Sequence, residues 1–233
     1  MSEGARRFRA AALLLDIEGT LGSKAFVSQV LYPYSHRHLR AYLARHAQEP
    51  VVQQALRDTL ALAGQPAADP AGLLLAWIAQ DRKAPPLKTL QGLIWQDGYE
   101  SGAFAGHLYP DALAALQRWH QRGIPLAIYS SGSVRAQRLY FEHSVAGNLL
   151  PWFDRHFDTA IGAKTEVDSY LRIAQAWGQA PERILFLSDN PAELQAAQGA
   201  GLQWLHVRRE DTDVAPGFAA VTDFSAIELE HQA

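Results

Sequence analysis

The sequence has no cysteine, no strong excess of charge of either sign, and no apolar run near the roughly 20 residues of a membrane-spanning helix. The missing cysteines exclude disulfides, thiol catalysis and zinc–thiolate sites. The formal net charge of −3 gives no basic surplus of the kind that phosphate-backbone binders carry. We therefore expect neither a nucleic-acid partner nor a membrane partner.

The N-terminal residues do not resemble a targeting segment. Met1–Arg9 is short and charged, and the apolar run that follows ends at Asp16. A signal peptide has a longer apolar core. We interpret the chain as a soluble intracellular protein, and the cluster Arg6–Arg9 as a solvated terminus.

Short apolar runs alternate with helical patterns in most of the chain. Runs of this length, bounded by turn signals, are typical of strands buried on both faces, although a buried helix segment is the alternative. The runs are Ala11–Leu15, Pro125–Tyr129, Ile184–Leu187 and Gln203–Arg208; the helical patterns are Asp111–Gln121, Val134–His143, Asp168–Trp177 and Pro191–Ala200. This alternation predicts an α/β fold, in which helices cover a parallel sheet.

Residues 22–105 show only helical patterns, separated by proline and glycine breaks. These patterns are Tyr34–His46, Val51–Ala63, Pro70–Gln80 and Leu87–Tyr99. We therefore predict an α/β core made of residues 1–21 and 106–233, with residues 22–105 inserted as a helical domain.

Polar residues follow the predicted strands. Asp16-Ile17-Glu18-Gly19-Thr20 follows the first, Ser130-Ser131-Gly132-Ser133 the second, and Ser188-Asp189-Asn190 the third, with Lys164 between the last two. Ligands of open parallel sheets bind beyond the carboxyl ends of the strands. We expect these elements to meet in one crevice.

These residue types suit phosphoryl transfer. The Asp16 carboxylate can attack a phosphate ester and form an acyl phosphate that water then cleaves. Carboxylate and phosphate repel each other, so a cation must bridge them; Mg²⁺ held by Asp16 and Asp189 would do this. Lys164 adds positive charge, and Ser130 or Ser131 can donate hydrogen bonds to phosphate oxygens.

Glu18 has two possible roles. It can protonate the leaving oxygen and then activate water, or it can bind the metal. Taken singly, each of these residues also fits an ordinary role as a helix cap, turn or surface residue. Their joint order and spacing favour the phosphatase interpretation.

The order Asp-x-Glu-Gly-Thr, Ser-Ser-Gly-Ser, Lys, Ser-Asp resembles the haloacid-dehalogenase superfamily of phosphohydrolases. Within it, the chain resembles the enolase-phosphatases of methionine salvage, the acireductone synthases. The first motif, with Glu18 in place of a second aspartate, is similar to that family's. Other similar segments are Leu31–Tyr34, Leu90–Trp95, Gly98–Gly102, Gly106–Asp111, Tyr129–Val134, Lys164–Glu166 and Phe186–Asp189.

The resemblance implies a Rossmann-like parallel-sheet core with an inserted helical cap. It implies Mg²⁺ held by Asp16, Glu18 and Asp189, with Ser130, Ser131 and Lys164 binding substrate phosphate. The implied substrate is 2,3-diketo-5-methylthiopentyl-1-phosphate, which is enolised and then dephosphorylated to the acireductone. A cytoplasmic monomer is also implied.

The segment after Thr20 departs from the family pattern. The family commonly continues Thr-Thr-Pro, whereas this chain has Leu21-Gly22-Ser23-Lys24. The departure leaves a second hypothesis open, namely a phosphatase that acts on another small phosphate ester without enolisation. A silent binding module and a metal-independent dehalogenase are further alternatives, which the acidic set disfavours. The enolisation base is open between Glu18 and Lys88, and Glu193 either supports the site or is solvated.

Overall fold

The computed structural model describes residues 6–209, 217 and 219–230. The first five residues and part of the chain after Arg209 lie outside the described residues. The chain divides into two compact units, one made of residues 1–24 and 106–233 and the other of residues 25–105. We call them the α/β unit and the helical unit. The interpretation of residues 22–105 as a cap stays a prediction.

The described strands of the α/β unit include a parallel sheet in the order β4-β3-β2-β5-β6-β7. The strands are β2 (Ala12–Leu15), β3 (Leu126–Tyr129), β4 (Arg155–Phe157), β5 (Ile184–Ser188), β6 (Gln203–Val207) and β7 (Ala220–Val221). In the register of the central strand, Leu13 lies opposite Leu126 on one side and Leu185 on the other. The parallel α/β fold predicted from the sequence is confirmed.

The central strands are buried on both faces. Side chains on one face form a continuous apolar core with α-helical residues such as Tyr170 and Leu194. On the opposite face of β2, the side chains of Leu13 and Leu15 are also fully buried. Burial on both faces explains why these strands are unbroken apolar runs rather than alternating ones.

The helical unit contains a succession of helices. They are α1 (Lys24–Phe26), which begins at the last residue of the α/β unit, α2 (Tyr32–Arg45) after the π-helical segment Val27–Leu31, α3 (Pro50–Ala63), α4 (Pro70–Ala79) and α5 (Pro85–Glu100). Their ends match local signals: Asp69 caps α4 by accepting a hydrogen bond from Ala71 N at 3.0 Å, and Gly64 ends α3 at φ 64°. A separate apolar core, which includes Leu39, Leu74 and Leu90, holds these helices together.

The remaining helices pack in the α/β unit. They are α6 (Pro110–Gln121), α7 (Val134–Glu142), α8 (Val167–Trp177) and α9 (Pro191–Gly199), with short 3₁₀ turns at Leu150–Trp152, Pro181–Arg183 and Phe224–Ala226. Ser133 caps α7 and Asn190 caps α9 by accepting hydrogen bonds from backbone N–H groups. Two strand ends therefore lead directly into capped helices. Within the described residues, no helix is both long and apolar enough to cross a membrane.

The arginine-rich N-terminus corrects one expectation. The side chains of Arg6 and Arg7 are exposed, as a solvated terminus requires, but the backbone forms β1 (Arg6–Phe8). It pairs in parallel with β8 (Ile227–Leu229) in a second sheet. The pairing was not predictable from the segment because the partner strand lies at the other end of the chain.

Candidate active site

A pocket of about 340 Å³ lies at the carboxyl ends of β2, β3 and β5. The six residues predicted to bind metal or phosphate or to carry the phosphoryl transfer all line this pocket, whereas Lys88, a candidate enolisation base, does not. The lining consists of Asp16, Glu18, Lys24, Ser130, Ser131, Lys164, Asp189, Asn190, Pro191 and Glu193. The adjacent strand order β3-β2-β5 brings these distant parts of the sequence together.

Asp16 is the first residue after the central strand, and it is buried. Its Oδ1 accepts a hydrogen bond from Lys164 Nζ at 2.5 Å, and its Oδ2 accepts one from Thr20 Oγ1 at 3.0 Å. Both carboxylate oxygens are thus held by donors, which fixes the orientation of the group in the pocket.

Thr20 connects two of the acidic residues. Its hydroxyl donates to Asp16 and accepts from the backbone N–H of Asp189 at 3.1 Å. One fully buried oxygen therefore links the ends of β2 and β5. The carboxylate of Asp16 and the backbone of Asp189 are therefore neighbours, as binding of one metal ion by both residues would require.

Lys164 lies between two carboxylates. Its Nζ is 2.5 Å from Asp16 Oδ1 and 2.7 Å from Glu193 Oε2, and Tyr170 OH fixes the Lys164 backbone by donating to its carbonyl oxygen at 2.7 Å. Burial alone would lower the pKa of Lys164, but the charges and hydrogen bonds of Asp16 and Glu193 outweigh burial and raise it. The surroundings of Lys164 therefore favour the charged ammonium form.

Glu193 lies in the first turn of α9 and is buried rather than solvated. Besides contacting Lys164, its Oε2 accepts a hydrogen bond from Ser188 Oγ at 2.9 Å. Burial raises the pKa of Glu193 to about 7, against the opposing effect of Lys164. Of the two interpretations left open by the sequence, the geometry favours support of the site.

The loop after β3 carries the two serines. Ser130 is buried and Ser131 partly exposed, and both line the pocket. Gln137 from α7 holds the loop, because its side-chain amide donates to Gly132 O at 2.9 Å and to Phe157 O at 2.7 Å. The loop is thereby placed at the N-terminal end of α7, where backbone N–H groups and the helix dipole favour an anion.

A tight turn carries Glu18 to the pocket. Gly19 N donates to Gly22 O at 2.7 Å and Gly22 N donates to Ile17 O at 2.8 Å. Gly19 has φ 80°, and a Cβ at this position would collide with the Asp189 carboxylate. Glycine is therefore required both by the backbone conformation and by the close approach of Asp189.

Lys24, in the segment that departs from the family pattern, also reaches the pocket. Its ammonium forms an ion pair with Asp189 Oδ2. Burial alone would lower the pKa of Lys24, but the hydrogen bond and charge of Asp189, with the charges of Asp16 and Glu18, raise it. Burial and the nearby Asp16 carboxylate raise the pKa of Asp189, although Lys24 acts in the opposite direction.

The charges of the lining fit a divalent cation. Four carboxylates and two ammonium groups line the pocket, so with all groups ionised two negative charges are left uncompensated. Asp189 Oδ2 is buried, and the contact described for it is the ion pair with the half-exposed Lys24. Within residues 6–209, 217 and 219–230, however, no three acidic, histidine or cysteine side chains are already grouped as metal ligands. The lysines hold the carboxylates instead.

Two residues contribute to the site beyond those predicted from the sequence. Thr20 is part of the first motif and Lys24 part of the segment that departs from the family pattern, and neither is predicted to have a role of its own. The signal for Thr20 is its place in a tight glycine turn just after the candidate nucleophile, where a hydroxyl can hydrogen-bond to backbone groups of a neighbouring loop. No local signal pointed to Lys24, because its contact with Asp189 joins positions far apart in the sequence.

The chain is similar to known hydrolases over most of its length. The haloacid dehalogenase-like hydrolase model matches residues 10–201. Enolase-phosphatase E1 of Bradyrhizobium sp. strain BTAi1 is 50% identical over 95% of this chain and 96% of its own length. The protein of the same name from Pseudomonas fluorescens is 48% identical over 94% of this chain and 97% of its own.

A solved structure agrees with this placement. The UTR4 protein of Saccharomyces cerevisiae is 31% identical and superposes with a TM-score of 0.77, covering 93% of this chain and 99% of its own. Fold, motif order and near-complete coverage thus agree. The chain belongs to the haloacid dehalogenase-like hydrolases and, within them, to the family of the enolase-phosphatase E1 proteins.

Proposed function

We propose that the chain is an enolase-phosphatase. It would convert 2,3-diketo-5-methylthiopentyl-1-phosphate to the acireductone 1,2-dihydroxy-3-keto-5-methylthiopentene and phosphate, a reaction of methionine salvage, through a phospho-Asp16 intermediate. Family membership and relatives named for this activity support the reaction class. The contact between Lys164 Nζ and Asp16 Oδ1 at 2.5 Å is the observation that carries the residue assignment.

Asp16 is the nucleophile in this proposal. Its carboxylate attacks phosphorus, a P–O(Asp16) bond forms, and the bond from phosphorus to the ester oxygen breaks. Lys164 offsets the repulsion between the carboxylate and the phosphate. Ser130 and Ser131 donate hydrogen bonds to phosphate oxygens, so that charge is stabilised where it develops in the transition state.

Glu18 is the proposed acid and base. It gives a proton to the leaving enol oxygen and then accepts a proton from the water that attacks phospho-Asp16, releasing phosphate and restoring the carboxylate. One residue can perform both steps because the leaving group and the water occupy the same side of the phosphorus in turn. The position of Glu18 in the pocket lining supports this role.

A divalent metal is implied by the family, and we propose Mg²⁺. Asp16, Glu18 and Asp189 would hold it, because oxygen ligands are those that Mg²⁺ prefers. When bound, Mg²⁺ would neutralise the surplus negative charge and stabilise the enolate that develops next to the substrate carbonyl. The base that removes the proton from the phosphate-bearing carbon stays open between Glu18 and Lys88 of the helical unit.

The departure at Leu21–Lys24 gives a second candidate some support, since it brings Lys24 into the pocket. In that case the enzyme would hydrolyse another small phosphate ester without enolisation. For either substrate we propose that the protein acts as a cytoplasmic monomer. Size-exclusion chromatography with light scattering checks the oligomeric state.

One assay separates the two candidates. Purified protein is incubated with the diketone phosphate and Mg²⁺, while ultraviolet absorbance reports the enol and a colorimetric assay reports phosphate. Both signals are expected. Phosphate release only from other esters would favour the second candidate. Asp16→Asn is expected to remove phosphate release, whereas Asp154→Asn, which changes an exposed aspartate, is the matched control. Full activity of Asp16→Asn would overturn the assigned nucleophile.

A further inference from the structure

We propose that Lys24 is an internal counter-ion of the acidic pocket, which a divalent metal must displace from Asp189. The lysine would thereby set how tightly the pocket holds the metal. The inference rests on the proposed function, because the metal site belongs to that proposal. It concerns a residue to which neither the motif pattern nor the phosphatase mechanism gives a role.

The ion pair carries the inference. Lys24 Nζ contacts Asp189 Oδ2, an atom of a side chain that is only 4% exposed, whereas the Lys24 side chain is 48% exposed. The charges of Asp16 and Glu18 also favour the ammonium at this position. The Lys24 ammonium thus lies among the three carboxylates assigned to the metal, on the side of Asp189.

The backbone around Lys24 is anchored in the α/β unit. Ser23 N donates to His107 Nδ1 at 3.1 Å, and Leu21 O accepts a hydrogen bond from Tyr109 N at 3.0 Å. Gly19 makes room for the lysine, since a Cβ there would lie 2.7 Å from Lys24 Cε. The fold therefore brings the ammonium to Asp189 rather than leaving it at an arbitrary surface position.

The two lysines of the pocket differ in how easily they can leave. Lys164 is only 9% exposed and is held by Asp16 and Glu193, so its departure would strand two buried charges. Lys24 is half exposed, and its flexible four-carbon stem can carry the ammonium into water. Lys24 occupies Asp189 Oδ2. A metal ion that binds this oxygen must therefore displace the ammonium, so metal binding is coupled to release of Lys24.

The test measures metal binding by the full-length protein without substrate. Magnesium chloride is titrated calorimetrically into metal-stripped wild type, Lys24→Met, Lys24→Arg and Lys83→Met. Lys24→Met is expected to bind Mg²⁺ about 10-fold more tightly, since the competing ion pair is gone. Lys24→Arg keeps the charge and should stay close to wild type. Lys83→Met removes an exposed lysine of the helical unit and should also match wild type.

A second readout uses the metal-free proteins. Without metal, Lys24→Met is expected to unfold about 2–4 °C below wild type, because Asp189 loses its counter-ion. Added Mg²⁺ should raise the unfolding temperature of Lys24→Met more than that of wild type, as mass action requires for tighter binding.

The outcomes separate this inference from the proposed function. If Mg²⁺ binds wild type and Lys24→Met equally, or binds the variant more weakly, Lys24 is not a competitor and only this inference falls. If Mg²⁺ affinity is unchanged and inorganic phosphate, titrated into the same proteins, binds Lys24→Met more weakly, the lysine is an anion ligand and the inference is again wrong. If none of the proteins binds Mg²⁺, both the inference and the metal assignment of the proposed function are overturned.

Discussion

The two units of the chain differ in the polar groups that they bury. The α/β unit buries four charged side chains at one edge of its sheet, namely Asp16, Lys164, Asp189 and Glu193. Within residues 25–105, all of which the structure describes, the buried polar side chains are the neutral Ser35, Thr59 and Gln91.

The partners of these groups differ as well. In the helical unit, Ser35 and Thr59 donate to carbonyl oxygens four residues earlier in the chain, at 3.1 and 2.7 Å. In the α/β unit, Lys164 bridges residues from two other elements. Burying a charge costs several kcal/mol unless it is paired. The chain therefore buries charges at the strand ends, where phosphate chemistry needs them and partners are provided, and buries only neutral polar groups where packing alone is required.

The largest expected effect comes from removing the central cation. Lys164→Met should lower phosphate release by about 10²–10³-fold or more, since the charge that holds carboxylate and phosphate together is lost. It should also lower the free energy of unfolding by about 3 kcal/mol, because Asp16 and Glu193 are left buried without their partner. Urea denaturation in the presence of a chelator and a phosphate-release assay measure the two effects.

A double variant sharpens this prediction. Lys164→Met/Glu193→Gln also removes one of the stranded charges, so it should regain part of the lost stability while staying inactive. The two effects would then be separable. Equal stability of wild type and Lys164→Met would contradict the claim that buried charges make the pocket energetically different from the helical unit.

The next largest effect concerns a hydroxyl that serves two partners. Thr20→Val deletes the donor to Asp16 and the acceptor of Asp189 N–H. Leaving such buried groups unsatisfied costs about 1–3 kcal/mol each, so we expect a loss of about 2 kcal/mol in the free energy of unfolding and a clear fall in kcat. Thr20→Ser keeps the oxygen and should restore most of both. Failure of serine to rescue kcat would mean that the methyl group, not the hydroxyl, matters.

Local patterns explain how much of the fold was predictable. Strands β2, β3, β5 and β6 coincide with short apolar runs in the sequence. The long helices have apolar periodicity and clear end signals such as Asp69-Pro70 and Asn190-Pro191. Their existence followed from the sequence. Strand β4, only three residues long, and the arginine-rich β1 have no such period, and each exists only through pairing with a neighbour. Pairing between distant segments leaves no local trace.

The same reason limits what could be predicted of the site. Asp16, Ser130 and Asp189 follow buried strands, so a parallel sheet brings them to one edge whatever the details of packing. Glu193 lies four residues beyond Asp189, and whether that turn of α9 faces the pocket or water depends on how the helix packs on the sheet. The position of Lys24 depends on the turn before it and on the hydrogen bond from Ser23 N to His107. Neither could be read from spacing alone.

The half-buried His156 shows how the α/β unit treats a titratable group away from the pocket. Burial, with a smaller contribution from Arg138, lowers the pKa of His156 to about 4. The unfolded chain takes up its proton near pH 6.5. The folded protein resists that proton, so the stability that neutral His156 contributes is complete above this pH and is lost as the pH falls towards about 4.

The expected loss is about 1–2 kcal/mol, reduced from the full shift because the ring is partly exposed. Urea denaturation of wild type between about pH 4.5 and 7 measures it. His156→Leu should flatten this part of the curve, while His120→Leu, which changes an exposed histidine, should leave it unchanged. An identical pH profile for His156→Leu and wild type would show that the histidine does not contribute.

The smallest expected effect repeats the threonine substitution in the other unit. Thr59 is fully buried in α3, and its hydroxyl donates only to Ala55 O at 2.7 Å among the contacts described. That carbonyl keeps its partner within the helix when the hydroxyl is removed, so Thr59→Val strands no polar group. We expect a change below about 1 kcal/mol in the free energy of unfolding and no change in kcat. Thr59→Val and Thr20→Val both replace a hydroxyl by a methyl group. The difference between their losses in the free energy of unfolding therefore reports the effect of the surroundings of each hydroxyl. If both cost the same, a buried hydroxyl at the strand ends is no more constrained than one inside a helix, and the contrast between the two units fails.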